Sequence, residues 1–265
     1  MASETTKPTP KLQRSKKRKG QTTNSSNQAT ESIYFTTQKK TKTCSIGDGT
    51  VKANRLGQTF YNQPCIKLAK ALLGQTLVRI LDDGSRLSGT IVETESYMGT
   101  EDSAAHTYQG HKSNKNLAMY MAPGTTYVYL IYGMYSCLNI SSKGEGCAVL
   151  IRGLEPSEGL DTMTTHRKKR RKDTSRPLKP KDLCSGPGKL TEALNINKTL
   201  LDKKDLSTDT MMWIESGDSV DAAEIVACPR IGIDYATPEW VAKPLRFYIK
   251  GNSCVSKRDK KAESD

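Results

Sequence analysis

The sequence predicts an α+β protein, a single mixed domain over residues 51–252 flanked by a polar tail at each end. Three observations carry this. Runs of strand length rich in β-branched and aromatic residues recur along the chain, several separated by short Gly- or Asp-containing turns. Apolar residues at helical spacing interrupt them at 66–73, 156–165 and 186–193. About 200 residues suffice to bury a real core, and no repeat period divides them.

In chain order, 66–73 is a helix capped by Gly74. Residues 76–81 form a strand, Asp82-Asp83-Gly84-Ser85 a turn, and 86–95 the returning strand, with β-branched Ile91 and Val92 at its middle. A short helix at 114–121 stops before Pro123-Gly124. Residues 125–132 and 135–142 make a hairpin about Gly133-Met134, and a Gly144-Glu145-Gly146 turn leads to a third strand at 147–154. Helices follow at 156–165 and 186–193, then strands at 211–214, 224–233 and 245–250. Residues 253–265 read as a disordered C-terminal tail.

The 265 residues carry 41 basic and 28 acidic groups, a net charge of +13. Such a balance points to a polyanionic partner, nucleic acid or an anionic membrane surface. The charge is unevenly placed. Residues 1–50 hold ten basic and three acidic groups, net +7. Their first thirty residues are too polar to bury a core and read as disordered. The cluster Lys16-Lys17-Arg18-Lys19 has the composition of a nuclear import signal, or of a solvated basic tail. Residues 166–182 hold nine basic and two acidic groups, again net +7, and end in Pro177 and Pro180. That segment is either a mobile loop contacting phosphates or a disordered insertion. The remainder of the chain sums to −1.

No apolar stretch approaches the roughly 18–20 residues of a membrane span, and the N-terminus lacks the apolar core of a secretory signal. The run at 166–182 lacks the large apolar face of a membrane-surface helix. The seven cysteines are scattered, with no C-x-x-C pair, and there are three histidines. A disulfide framework, a cysteine-rich zinc or iron–sulfur site and a structural metal site are therefore not expected, and a reducing compartment fits.

Three stretches concentrate chemistry. In Ile91-Val92-Glu93-Thr94-Glu95-Ser96-Tyr97 the alternation of a strand puts Glu93, Glu95 and Tyr97 on one face. Either carboxylate could be the reactive one, the other serving as an ion-pair partner. Glu101-Asp102-Ser103-Ala104-Ala105-His106 is the second. The third, 127–135, holds four of the chain's 11 tyrosines. Tyr127 and Tyr129 face one side, Val128, Leu130 and Tyr132 the other. Tyr132 abuts the Gly133-Met134 turn, where an aromatic can act as a wedge between base pairs. The same tyrosines would also suit an ordinary packed strand.

Glu93-Thr94-Glu95-Ser96-Tyr97, Ala104-Ala105-His106 and the whole run from Pro123-Gly124 to Tyr135 resemble the alkyladenine (3-methyladenine) DNA glycosylase family. Leu138-Asn139-Ile140-Ser141, Val149-Leu150-Ile151-Arg152, Leu183-Cys184-Ser185-Gly186-Pro187 and Lys243-Pro244-Leu245-Arg246-Phe247-Tyr248 extend the resemblance across residues 56–252. It is close to the animal form. The resemblance implies a curved antiparallel sheet with a protruding hairpin and surrounding helices. It implies a monomer that acts on double-stranded DNA containing damaged purines. The enzyme would excise 3-methyladenine, 7-methylguanine, hypoxanthine or ethenoadenine without cofactor or metal, leaving an abasic site, in the nucleus or also the mitochondrion. Glu95 then corresponds to the general base and Arg152 to its partner in placing water. The main chain of Ile231 falls where a carbonyl holds the same water. Tyr97, His106 and Tyr129 match the walls around the flipped base, Leu150 a further base contact, and Asn139 the residue that excludes the 2-amino group of guanine. Tyr132 and Met134 match the hairpin side chains that enter the duplex. His106 can donate or accept at the base edge, according to its tautomer.

Overall fold

One strand of thirteen residues organises the sheet. The structure is a computed structural model that describes residues 54–131, 133–169 and 176–264. Its strands are β1 (Thr76–Ile80), β2 (Arg86–Met98), β3 (Thr126–Ile131), β4 (Tyr135–Ser141), β5 (Cys147–Glu158), β6 (Met212–Glu215), β7 (Ile225–Cys228) and β8 (Arg246–Ile249). The helices are α1 (Gln58–Tyr61), α2 (Cys65–Ala71), α3 (Leu160–Lys168), α4 (Pro180–Leu183), α5 (Pro187–Ala193), α6 (Lys198–Leu201) and α7 (Pro238–Ala242). The fold class is α+β, as expected, with every strand pair antiparallel.

The sheet order is β3-β4-β5-β2-β1-β6. β5 follows β2 along one edge. The other edge of β2 is divided: β1 pairs with Arg86–Thr90, and β8 pairs with Glu93–Glu95, carrying β7 outside it. The division falls at an irregularity. Ile91 opposes Leu154, Glu93 opposes Gly153 and Thr94 opposes Ile151. Val92 is therefore an extra residue on β2 and Arg152 an extra residue on β5, a pair of bulges that offset each other.

The bulges change which residues face the core. Ile91 lies in the main apolar cluster with Leu68, Ala69 and Leu72 of α2, while Thr94 Oγ1 donates to the Ala69 carbonyl. Residues three apart in a regular strand point oppositely; the inserted Val92 lets both turn toward α2. Val92 itself packs in a second cluster with Val226, Tyr248, Cys254 and Val255. The main cluster extends through Val128, Leu138, Val149 and Ile151 to Met163 of α3 and Leu190 of α5. Each such fully buried aliphatic side chain contributes about 1.5–3 kcal/mol relative to exposure.

Several expectations are corrected. The helix expected from Pro156 begins only at Leu160, because β5 continues to Glu158. Pro156 opposes Gly89 beside a register shift, where the missing N–H is tolerated, and Gly159 at φ 75° makes the turn. The strand expected over 224–233 ends at Cys228; Pro229 follows and Gly232 at φ 77° turns the chain. The helix expected at 114–121 is a single 3-10 turn, Leu117–Tyr120.

The C-terminal residues expected to be disordered fold back instead. Cys254 and Val255 are buried, and Ser256 donates its N–H and hydroxyl to Glu93 at 2.7 and 2.9 Å. Apolar burial together with bonds to a buried carboxylate holds this segment down. The basic segment 166–182 begins as the end of α3, with Arg167 buried and ion-paired to Glu192, and closes with α4. Its residues 170–175, and the whole N-terminal tail with Lys16-Lys17-Arg18-Lys19, lie outside the described residues.

Candidate active site

A single row of opposed residues crosses the sheet and gathers the site. Tyr127 on β3 opposes Asn139 on β4, Asn139 opposes Leu150 on β5, Leu150 opposes Glu95 on β2, and Glu95 opposes Arg246 on β8. Directly opposed residues present side chains to the same face. Residues far apart in sequence thus meet because the register holds them there.

At one end of the row lies a buried charge cluster. Glu93 and Glu95 are fully buried, and Arg152 and Arg246 nearly so. Arg152 spans both carboxylates, Nε 3.4 Å from Glu93 and Nη1 3.3 Å from Glu95. Its place as the extra residue of β5 lets it do so. Burial alone would lower the Arg152 guanidinium; the Glu95 and then the Glu93 charge outweigh it and hold it above its ordinary value.

The two carboxylates differ in what occupies them. Glu93 takes Arg246 Nη1 at 2.9 Å and the N–H and hydroxyl of Ser256 besides Arg152. Its oxygens are filled by protein. Glu95 accepts the Ile231 N–H on Oε1 at 2.9 Å and the Tyr97 hydroxyl on Oε2 at 3.0 Å. At Ile231 it is the N–H that contacts the carboxylate.

Beyond Glu95 the row opens into an aromatic pocket lined by Tyr97, His106, Tyr127, Tyr129, Asn139 and Tyr235, with Ala104 and Met119 behind. Tyr127 and Tyr129 stack at 5.2 Å, and His106 meets Tyr129 edge-on at 4.7 Å. His106 is fixed at Nδ1 by the Tyr127 hydroxyl at 2.8 Å. Burial first, and the charge of His111 second, hold His106 below the ordinary histidine value, so it is neutral at neutral pH. Burial and then the Glu95 charge hold the Tyr97 phenol well above its ordinary value, so it remains a donor. Asn139 Nδ2 donates to the Tyr127 carbonyl at 3.2 Å, which sets the amide against the pocket wall.

The hairpin at the far end of the row carries exposed apolar side chains. Leu130 is 54% and Met134 57% exposed, beside Gly133 at φ 66°. Tyr132 lies outside the described residues. Glu95, Tyr97, His106, Tyr129, Asn139, Leu150, Arg152 and Ile231 are brought together around the pocket; Met134 stands apart on the hairpin.

Sequence reasoning missed Arg230, Tyr235 and Ser256, and gave Asp102, within the second stretch, no role of its own. Asp102 and Arg230 form a fully buried ion pair at 2.6 Å, and the Arg230 guanidinium lies 4.7 Å from the centre of the Tyr97 ring. Nothing local marks an arginine between Pro229 and Ile231 as buried. Among the described residues no three His, Cys, Asp or Glu side chains gather as a metal site, and no helix is long and apolar enough to cross a membrane.

The sequence model of the methylpurine-DNA glycosylase family matches residues 59–253. The chain belongs to that family. The DNA-3-methyladenine glycosylase of Mus musculus is 53% identical over 214 residues, 80% of this chain and 64% of the mouse protein. That of Homo sapiens is 50% identical over 237 residues, 88% of this chain and 75% of the human protein. The chain thus spans a little under two thirds of the mouse relative. The matched segment of this methylpurine-DNA glycosylase family member contains the whole row from Tyr127 to Arg246 and both carboxylates.

Proposed function

We propose that the chain is a monofunctional DNA N-glycosylase of base-excision repair. It would extrude an alkylated or deaminated purine, such as 3-methyladenine, 7-methylguanine, hypoxanthine or ethenoadenine, and hydrolyse its glycosidic bond, leaving an abasic site. One observation carries this: Glu95 is a buried carboxylate at the edge of an aromatic pocket, with one acceptor position unfilled among the described residues. A carboxylate offers about four lone-pair sites. Ile231, Arg152 and Tyr97 occupy three. The fourth is free to take a proton from water attacking C1′.

The other parts follow from chemistry. A purine alkylated at N3 or N7 is cationic and a good leaving group, and tyrosine faces attract such a ring by about 0.5–2 kcal/mol. The Glu95 charge also favours the oxocarbenium character that develops as the bond breaks. Arg152 orients Glu95. Asn139 excludes the 2-amino group of guanine. The exposed Leu130 and Met134 suit insertion into a minor groove, and Tyr132, between them in sequence, is the proposed wedge. The partner is double-stranded DNA bearing the lesion, and the protein acts as a monomer. The basic tail favours encounter with DNA and nuclear import, with the mitochondrion a second compartment.

The test is base release from a panel of lesion duplexes. Wild type releases the base with EDTA present. Glu95→Gln keeps lesion binding and loses release by on the order of 10²–10⁴. Binding by wild type without release from any duplex would instead identify a non-catalytic lesion-binding module.

A further inference from the structure

The base pocket is narrow as it stands. Its free volume is about 30 Å³, room for a water or two but not for a fused double ring. His106, Tyr127 and Tyr129 also line a neighbouring cavity of about 540 Å³, but a purine is seated between all the walls of the narrow pocket only if one of them moves. Most walls are held from behind. Tyr97 is tied to Glu95 and backed by Arg230. His106 is bonded to Tyr127, and Asn139 to the β3 main chain. Ala104 and Met119 are buried.

Tyr235 is different. It lines the pocket and is 71% exposed, whereas His106, the other exposed wall, is tied to Tyr127. Its hydroxyl donates to the Ala104 carbonyl at 3.0 Å, across the pocket mouth. It sits on the 229–237 turn, whose Gly232 has φ 77° and whose Thr237 is clasped to Ser103. The same turn delivers the Ile231 N–H to Glu95.

We propose that Tyr235 is the movable wall of this pocket: a latch that swings aside to admit the extruded base, then closes on its ring as an aromatic contact facing solvent. The inference rests on the reading of the pocket as a purine site. Because Tyr235 and Ile231 share one turn, closure of the ring and alignment of the Glu95 oxygens are linked.

The full chain is tested by stopped-flow on a duplex containing ethenoadenine, whose fluorescence rises when the base leaves the stack, with single-turnover release measured in parallel. A duplex bearing a tetrahydrofuran abasic analogue, which has no base to enclose, is the control. Tyr235→Ala should retain the extruded base about tenfold less well while binding the control duplex as wild type does. Tyr235→Phe keeps the ring but loses the latch to Ala104, so base entry and exit both accelerate by about fivefold. Extrusion and release kinetics like wild type in both variants would overturn the proposal. So would an equal loss on both duplexes by Tyr235→Ala with no rate change in Tyr235→Phe. If wild type itself neither encloses nor releases the base, the purine-site reading fails; if wild type does so and the variants match it, only the latch fails.

Discussion

The Tyr97 hydroxyl donates to Oε2 of Glu95 at 3.0 Å, joining a wall of the aromatic pocket to the buried carboxylate. With the proposed function, the contact would give Tyr97 two separable roles, a ring that faces the base and a donor that orients Glu95. Tyr97→Phe keeps the first and deletes the second. A hydrogen bond to a charged group contributes about 1.5–3 kcal/mol, so release should slow by about tenfold or more while lesion affinity stays within about twofold. Single-turnover rates beside equilibrium binding check it; a loss confined to affinity would contradict the orienting role.

Glu93 and Glu95 should dissociate stability from chemistry. Glu93 is satisfied by Arg152, Arg246 and Ser256, so Glu93→Gln leaves two buried guanidinium groups undercompensated. Breaking a buried pair costs about 3–5 kcal/mol. Glu95→Gln loosens a single ion-pair contact. Urea midpoints should fall further for Glu93→Gln, whereas base release should collapse in Glu95→Gln. Equal midpoints would show that Glu93 does not anchor the cluster.

Stability should rise with pH through the histidine range. Folding holds His106 below its ordinary value of 6.5, so below that pH the unfolded chain binds the extra proton more readily than the folded one. The stability difference is absent above about pH 6.5 and grows as pH falls through the window between the unfolded and folded values. Thermal midpoints from pH 5 to 8 should show this slope in wild type and less of it in His106→Gln.

Asn139 is buried against the pocket with its amide held by the Tyr127 carbonyl. Asn139→Ser makes room where the 2-amino group of guanine would sit, and release of normal guanine from undamaged duplex should increase. Unchanged guanine release by Asn139→Ser removes the steric role.

Removing residues 1–50 deletes seven net positive charges. The slope of log affinity against log salt should flatten, because fewer phosphate counterions are displaced. Release at saturating enzyme should persist, since every residue of the pocket lies beyond position 50. A deletion protein with the wild-type salt slope would place the phosphate contacts elsewhere.

The fold was legible where local pattern and tertiary demand agree. The hairpin at Gly133-Met134, the turn at Asp82–Ser85 and the existence of helix α2 follow from turn chemistry and apolar spacing, although α2 ends at Ala71 with Leu72 as its cap and the Gly74 N–H bonds instead to Ile91 of β2. Pro156 misled, because proline starts helices more often than it sits at a strand irregularity. The turn after Pro229 was read as strand, because Ile231 and Ile233 are strand formers whose neighbours decide otherwise. Residues 253–264 look like a polar tail, but their few apolar side chains and one serine find partners that only the folded sheet presents.

By itself the sequence determined the α+β class, the strand carrying Glu93 and Glu95, the tyrosine-rich hairpin and the concentration of positive charge in two segments. These follow from residue type and short-range spacing. Tertiary structure alone decided which carboxylate is saturated, because that depends on offsetting bulges at Val92 and Arg152 and on a returning C-terminal segment. It also decided that Tyr235, about 100 residues after the hairpin turn, lines the pocket. Alternation within a strand fixes faces only while the register is unbroken; once each of two strands gains a residue, cross-strand packing determines what meets what.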